Sequence, residues 1–202
     1  LAESNNKNIK LNEKLQEYSI SLENEVRKRT AEIEHLVIHD QLTGIFNRYQ
    51  FEKKTTKVME EVKNNKNHYV MTFLDLDKFK AVNDTAGHLA GDELLRNIAS
   101  LIKENITDKD FFARLGGDEF AIIFESDHFD SVMDTCNKIC KSVAAYKFEW
   151  EGNTFTIGVS IGIVNVTSDI SSETELLRMS DKACYSAKHA GRNRVATYNE
   201  EN

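Results

Sequence analysis

The sequence predicts an α+β domain with a mostly antiparallel central sheet flanked by helices, preceded by a long N-terminal helix. Three observations carry this reading. The opening forty residues are polar, hold a sparse apolar stripe and contain neither Gly nor Pro. Apolar runs bounded by turn residues, at 69–75, 111–124 and 148–166, read as strands and hairpins. Between and after them lie segments whose apolar residues recur at helical spacing.

In the N-terminal stripe, Leu11, Leu22 and Ile33 are eleven residues apart, as are Leu15, Val26 and Val37, with Tyr18 between them. An eleven-residue repeat corresponds to about 3.67 residues per turn, which suits a nearly straight or slightly right-handed two-stranded coil. Residues 1–38 are therefore expected to be a signalling helix that pairs two protomers and joins the domain at 39–202 to an upstream sensor. Residues 46–64 read as a helix and 69–75 as a strand. The chain is then polar and small until a helix begins near Asp92, running to Glu104 with Leu94, Leu95, Ile98, Leu101 and Ile102 on its apolar side. A hairpin at 111–124 follows, then a helix at 130–146 and a second hairpin at 148–156 leading into a strand at 157–166. A last helix at 173–189 precedes a strand at 195–198.

The chemistry concentrates in three segments. Arg114-Leu-Gly-Gly-Asp-Glu-Phe120 sets two glycines and two carboxylates at a hairpin tip. Glycine permits positive φ and leaves no side chain in a ligand's way, and the acids can hold a hard cation, so the turn favours metal-bound phosphate over a plain solvated hairpin. The strand at 69–75 ends in Asp75-Leu-Asp77, two acids on one side of an extended chain. Buried strand-end acids are costly unless a cation or hydrogen bonds compensate them, although a helix-capping role is the ordinary alternative. Near the end of the last helix, Lys188 and Arg192 lie four apart and so on one helical face. They suit either the helix C-terminus or a triphosphate clamp, with Lys as a point charge and Arg as a bidentate fork.

Composition narrows the partners. A net charge of −7 argues against nucleic acid. No run of about 18 apolar residues is present, so no membrane span is expected. The first residue is Leu1 and no signal-peptide pattern follows, so the chain is expected to be an excised fragment. The expected setting is cytoplasmic, as part of a larger sensor protein, soluble or membrane-bound. Cys136, Cys140 and Cys184 read as reduced core thiols rather than zinc ligands, and the six His residues show no ligand spacing.

Four separated motifs together resemble the GGDEF domains, the diguanylate cyclases: Asp40-Gln-Leu-Thr-Gly-Ile-Phe-Asn-Arg48, the stretch from Asp75-Leu-Asp-Lys-Phe-Lys to Gly91-Asp92, Arg114 to Phe120, and Tyr185-Ser-Ala-Lys-His-Ala-Gly-Arg-Asn-Arg194. The resemblance covers 40–198. It implies a palm-like nucleotide-cyclase fold with a ferredoxin-like core, and condensation of two GTP into cyclic di-GMP and two pyrophosphates by a homodimer with one GTP per protomer. It further implies that Asp75, the Leu76 carbonyl and Glu119 bind Mg²⁺, or Mn²⁺ in its place, with Asp118 beside the ribose 3′-hydroxyl or sharing a metal. Asp118 or Glu119 would accept the hydroxyl proton. The Gly116-Gly117 turn and the amides of Phe79 and Lys80 would meet phosphates, together with Lys188 and Arg192.

Asn83 and Asp92 would read guanine. A carboxylate accepts from guanine N1–H and the exocyclic amine, whereas adenine has no N1 donor. An unpaired buried acceptor costs about 1–3 kcal/mol, so Asp92 would disfavour ATP by roughly 10–100-fold per lost bond. His88 occupies the family's Gly-His position and is counted with the substrate-binding residues, although its own chemistry reads as structural. One departure stands out: where many members have Arg-x-x-Asp for product inhibition, this chain has Thr107-Asp-Lys-Asp110, so feedback through that site should be weak or absent. The alternative function is a silent GTP-binding or regulatory module. The intact Gly116, Gly117, Asp118 and Glu119 favour the enzyme.

Overall fold

The computed structural model describes residues 2–65 and 67–198; in the first helix, the side chains of 2–13, 31, 32 and 34 are outside the description. The chain divides into two compact units, one up to Ile38 and one from His39 onward.

The first unit is a single helix, α1, Ala2–Ile38. Leu11 of the apolar stripe lies outside the described side chains. The other stripe residues, Leu15, Tyr18, Leu22, Val26, Ile33 and Val37, are about half or more exposed in the single chain. Nothing within the helix buries them, which is the condition under which a helix of this length gains stability from a partner.

The second unit opens with α2, Arg48–Lys63, and β1, Tyr69–Asp77. Two helices follow, α3, Phe79–Ala86, and α4, His88–Lys103. The hairpin strands β2, Phe111–Gly116, and β3, Glu119–Glu125, lead to α5, Phe129–Ala145. The short hairpin β4, Phe148–Trp150, with β5, Asn153–Phe155, precedes β6, Gly158–Val166. The chain closes with α6, Glu173–His189, and β7, Val195–Thr197.

The main sheet has the order β2-β3-β1-β6-β7, with β1 central and antiparallel to both β3 and β6. Only the β6–β7 pair is parallel among the described strands. Side-chain alternation along β1 explains the layers. Val70, Leu74 and Leu76 join Leu94 and Ile98 of α4 and Ile139 of α5 on one face. Tyr69, Met71 and Phe73 join Val58 of α2 and Leu176 of α6 on the other. Helices thus cover both faces, and β1 is buried along almost its whole length. The sheet meets α6 most closely at Gly162, where an added Cβ would lie 2.1 Å from the Ser180 backbone carbonyl.

Three sequence expectations need correction. The stretch before Asp92 is helical: α3 occupies Phe79–Ala86, and α4 starts at His88 rather than near Asp92. Small polar residues hide the period there, and the break between the helices is Gly87 at φ 83°. Next, β1 extends to Asp77, because Leu76 and Asp77 still pair with Val159 and Gly158. Finally, α2 begins at Arg48, not at residue 46: Phe46 bridges to His39 and Ala113, and the Asn47 side chain caps the helix by accepting from Gln50 N–H at 3.0 Å.

Candidate active site

The acids converge because of strand register. Asp75 on β1 lies directly opposite Glu119 on β3, and the Leu76 N–H donates to the Asp118 carbonyl at 3.3 Å. The hairpin reaches Glu119 through Gly116 and Gly117 at φ 150° and 52°. The second value is left-handed, where a Cβ is disfavoured. A bulge between Arg114 and Gly116 ends the regular β2 register just before the turn.

Electrostatics at this end of the sheet are strained in one direction. Burial raises the Glu119 pKa, and the nearby charges of Asp75, Asp118 and Asp181 raise it further, with Arg48 opposing. Burial likewise raises that of Asp75, partly offset by Lys188. The Lys188 ammonium sits 2.7 Å from Asp75 Oδ2 at the last turn of α6. Burial works against the Lys188 charge, but the carboxylate outweighs it and raises the lysine pKa.

These carboxylates are oxygen donors that repel one another, a set that fits a hard divalent cation. Among the described residues no group of three or more His, Cys, Asp and Glu is arranged to hold a metal ion alone. Mg²⁺ does not need one, since it takes one or two carboxylates and fills its shell with water and phosphate oxygens.

The other expected residues fall around this end. Phe79 and Lys80 open α3 directly after β1, and Lys78 before them, at φ 66°, supplies no side-chain cap. The first amides of such a helix are anion donors. Asn83 on α3 faces α4 at Gly91, where its Oδ1 is buried without a hydrogen-bond partner. A Cβ at Gly91 would lie 1.9 Å from that oxygen, so the missing side chain is what admits Asn83. Asp92 follows in the same turn, half-buried, whereas His88 is exposed at the start of α4. Arg192 lies beyond α6 at φ 61°, its side chain 59% exposed, so the four-residue spacing does not put it on one helical face with Lys188 as expected.

Sequence reasoning assigned no role to Asp40 or Arg114 singly, and marked Asp77 only as a strand-end acid in need of a cation or hydrogen bonds. The Arg114 guanidinium spans two partners: Nη1 donates to both Asp40 oxygens at 3.1 and 3.2 Å, while Nε and Nη2 donate to the Gly117 carbonyl at 3.0 and 2.8 Å. Asp77, in the Asp-x-Asp pair, is buried, with its carboxylate hydrogen-bonded to Ser160 and Asn193. Their motifs carried a signal, but only folding supplies the partners.

A mixed, mostly antiparallel sheet with helices on both faces and acids at the central strand's end is the palm-like fold of nucleotide cyclases. The profile described as "Diguanylate cyclase, GGDEF domain" matches residues 37–194, and the chain belongs to that family. It is 38% identical over 174 residues to "Probable diguanylate cyclase DgcE" of Escherichia coli (strain K12), covering 86% of this chain and 16% of that protein. It is 32% identical over 179 residues to diguanylate cyclase TpbB of Pseudomonas aeruginosa (strain UCBPP-PA14), covering 87% and 41%. The chain thus spans less than half the length of these relatives. Among solved structures, the coiled coil and GGDEF domain of DgcB from Caulobacter crescentus, in complex with c-di-GMP, superposes with a TM-score of 0.84 at 28% identity, covering 93% of this chain and 98% of that one. No described helix is long and apolar enough to cross a membrane.

Proposed function

We propose that this chain is the catalytic part of a diguanylate cyclase that condenses two GTP into cyclic di-GMP and two pyrophosphates. The observation that carries the reading is the pairing of Asp75 with Glu119 beside Lys188, with the Gly116-Gly117 turn intact. Silent versions of such a site would be expected to lose an acid or a glycine there.

Asp75, Glu119 and the Leu76 carbonyl would hold Mg²⁺, with Asp118 adjacent. The cation, when bound, stabilises the charge that develops on the phosphoryl oxygens. The chain's own groups do the rest. The Phe79 and Lys80 amides, Lys188 and Arg192 bind the phosphates. Asn83 and Asp92 orient the guanine. Each 3′-hydroxyl attacks the α-phosphorus of the nucleotide on the other protomer. The new P–O bond forms as the α–β bridging bond breaks, pyrophosphate leaves, and the hydroxyl proton passes to Asp118 or Glu119. Two protomers must face each other, and the exposed α1 stripe supplies a pairing surface for a second copy of the chain. Upstream sensing and a cytoplasmic setting belong to the same reading.

The test is incubation of the protein with GTP and Mg²⁺ over a range of protein concentrations, with products separated by chromatography. Cyclic di-GMP formed with more than first-order dependence on protein is the expected result. Bound GTP with no product at any concentration would sink the enzymatic reading.

A further inference from the structure

Asp77 is the most enclosed acid at this end of the molecule, with its side chain 3% exposed, and its hydrogen bonds go to β6 and the segment after α6. Its Oδ1 accepts from Ser160 Oγ at 2.9 Å, and its Oδ2 accepts from the backbone N–H of Asn193 at 2.9 Å. Ser160 is fully buried on β6, and Asn193 is 116 residues away in sequence. A buried carboxylate is retained only where hydrogen bonds compensate it, so what these bonds hold in place is informative.

They hold the turn after α6. Arg192 N–H donates to the Ala187 carbonyl and Gly191 N–H to that of Lys188, with Gly191 at φ 117°; this is a Schellman closure of the helix. The chain then places Arg192 and Asn193 at φ 61° and 46°, two successive left-handed non-glycine residues. The left-handed region is unfavourable for Arg192 and tolerated by Asn193, since Asn is among the few L-residues that visit it, so two such residues in a row need fixed surroundings. Two contacts impose it here: the Asp77 bond to Asn193 N–H, and the Asn193 Oδ1 acceptance from Val159 N–H at 3.5 Å. Arg192 Nε lies 4.0 Å from Asp77 Oδ1. Asp77, Lys78, Gly158 and residues 191–193 line a cavity of about 370 Å³.

We infer that Asp77 is a positioning residue: by anchoring Asn193 N–H from the end of β1, it fixes the left-handed turn that aims Arg192 at the nucleotide's phosphates. The inference rests on the reading of Lys188 and Arg192 as the phosphate clamp. One strand end thereby sets both cations, Asp75 by pairing with Lys188 and Asp77 by holding the turn that carries Arg192.

The test compares binding of 3′-deoxy-GTP, which lacks the attacking hydroxyl and cannot turn over, with binding of GMP. Asp77→Ala should weaken 3′-deoxy-GTP by about tenfold, the range for a lost buried hydrogen-bond anchor, with GMP little changed. Asp77→Asn retains an oxygen for Asn193 N–H and an amide for Ser160, and should stay within about threefold of wild type. Because Asp77 acts through Arg192, its effect should largely vanish in an Arg192→Ala background. If Asp77→Ala does not fold, Asp77→Ser, which keeps a hydroxyl near Ser160 but is too short to reach Asn193, takes its place with the same expectation. Equal weakening of both ligands, no weakening, or a full effect in the Arg192→Ala background would overturn the inference while leaving the clamp standing. A wild-type protein that binds 3′-deoxy-GTP no better than GMP would overturn both.

Discussion

Arg114 Nη1 reaches both carboxylate oxygens of Asp40 and so ties the beginning of the globular unit to the Gly-Gly turn, since the same guanidinium also holds the Gly117 carbonyl. Asp40 is the second residue of that unit, so its opening segment and the turn share one side chain. Its carboxylate also accepts from Thr43 N–H and Oγ1–H at 2.9 and 2.7 Å. Arg114→Ala should therefore cost stability by about 1–3 kcal/mol, by leaving a partly buried carboxylate short of its partner. It should also reduce kcat more than it raises KM for GTP, because the loosened element is the turn carrying Asp118 and Glu119. Steady-state kinetics alongside denaturant unfolding checks both, and an unchanged kcat would remove the link to the turn.

The same pair sets a pH dependence. Burial raises the Asp40 pKa, but the bonds from Thr43 and Arg114 outweigh it and hold the group below the ordinary carboxylate range. A folded-state pKa below the unfolded value means that the stabilisation is present above the unfolded pKa. It is lost as pH falls through the folded one. Thermal melts of wild type and Asp40→Asn should thus differ most near neutrality and converge as the solution is acidified below the normal Asp range. A gap that stays constant across that window would contradict the assignment.

Gly91→Ala addresses base selection. The new methyl would take the space of the Asn83 carbonyl oxygen, and Asn83 would have to swing away from α4. Affinity for GTP should fall by roughly 10–100-fold, the range for losing buried base-reading hydrogen bonds, while weak ATP binding changes little. Titration of both nucleotides decides it, and parallel losses for GTP and ATP would point to general damage of the α3–α4 pair.

Lys188→Ala should weaken binding of GTP by about 1.5–3 kcal/mol, the usual range for a hydrogen bond to a charged group. GMP, which lacks the β- and γ-phosphates, should lose less. Because Lys188 also occupies Asp75 Oδ2 in the free protein, its removal leaves Asp75 without its counter-charge, and Mg²⁺ alone should bind the variant no more weakly than wild type. Calorimetry with each ligand separates the two effects, and a loss of Mg²⁺ affinity would refute this arrangement.

Product feedback through the Thr107–Asp110 segment should be weak or absent. Besides the missing Arg, the Asp110 carboxylate already accepts from Thr107 N–H and Oγ1–H, each at 2.8 Å. Cyclic di-GMP titrated into a Glu119→Ala protein should show no tight site. Submicromolar binding there would overturn the expectation.

The strands with clear apolar runs, the Gly-Gly turn and the last helix were legible in the sequence because their signals are local: alternation, glycine at a turn, apolar residues at helical period. The family's motifs made the candidate site legible for the same reason, since each is a contiguous string. The α3 segment and the first turn of α4 were not, because Asn83, Asp84, Thr85, Ala86 and Gly87 carry too little apolar content to show a period, and their helices are stabilised by packing of Phe79, Val82 and Ala90 into the core. The partners of the buried acids were also beyond reach. Asp75 and Asp77 look alike in an extended strand, yet one meets Glu119 and Lys188 and the other Ser160 and Asn193. Which carboxylate meets which cation or amide depends on strand register and on where a helix ends, contacts spanning roughly 40 to 120 positions, and only the folded sheet decides those.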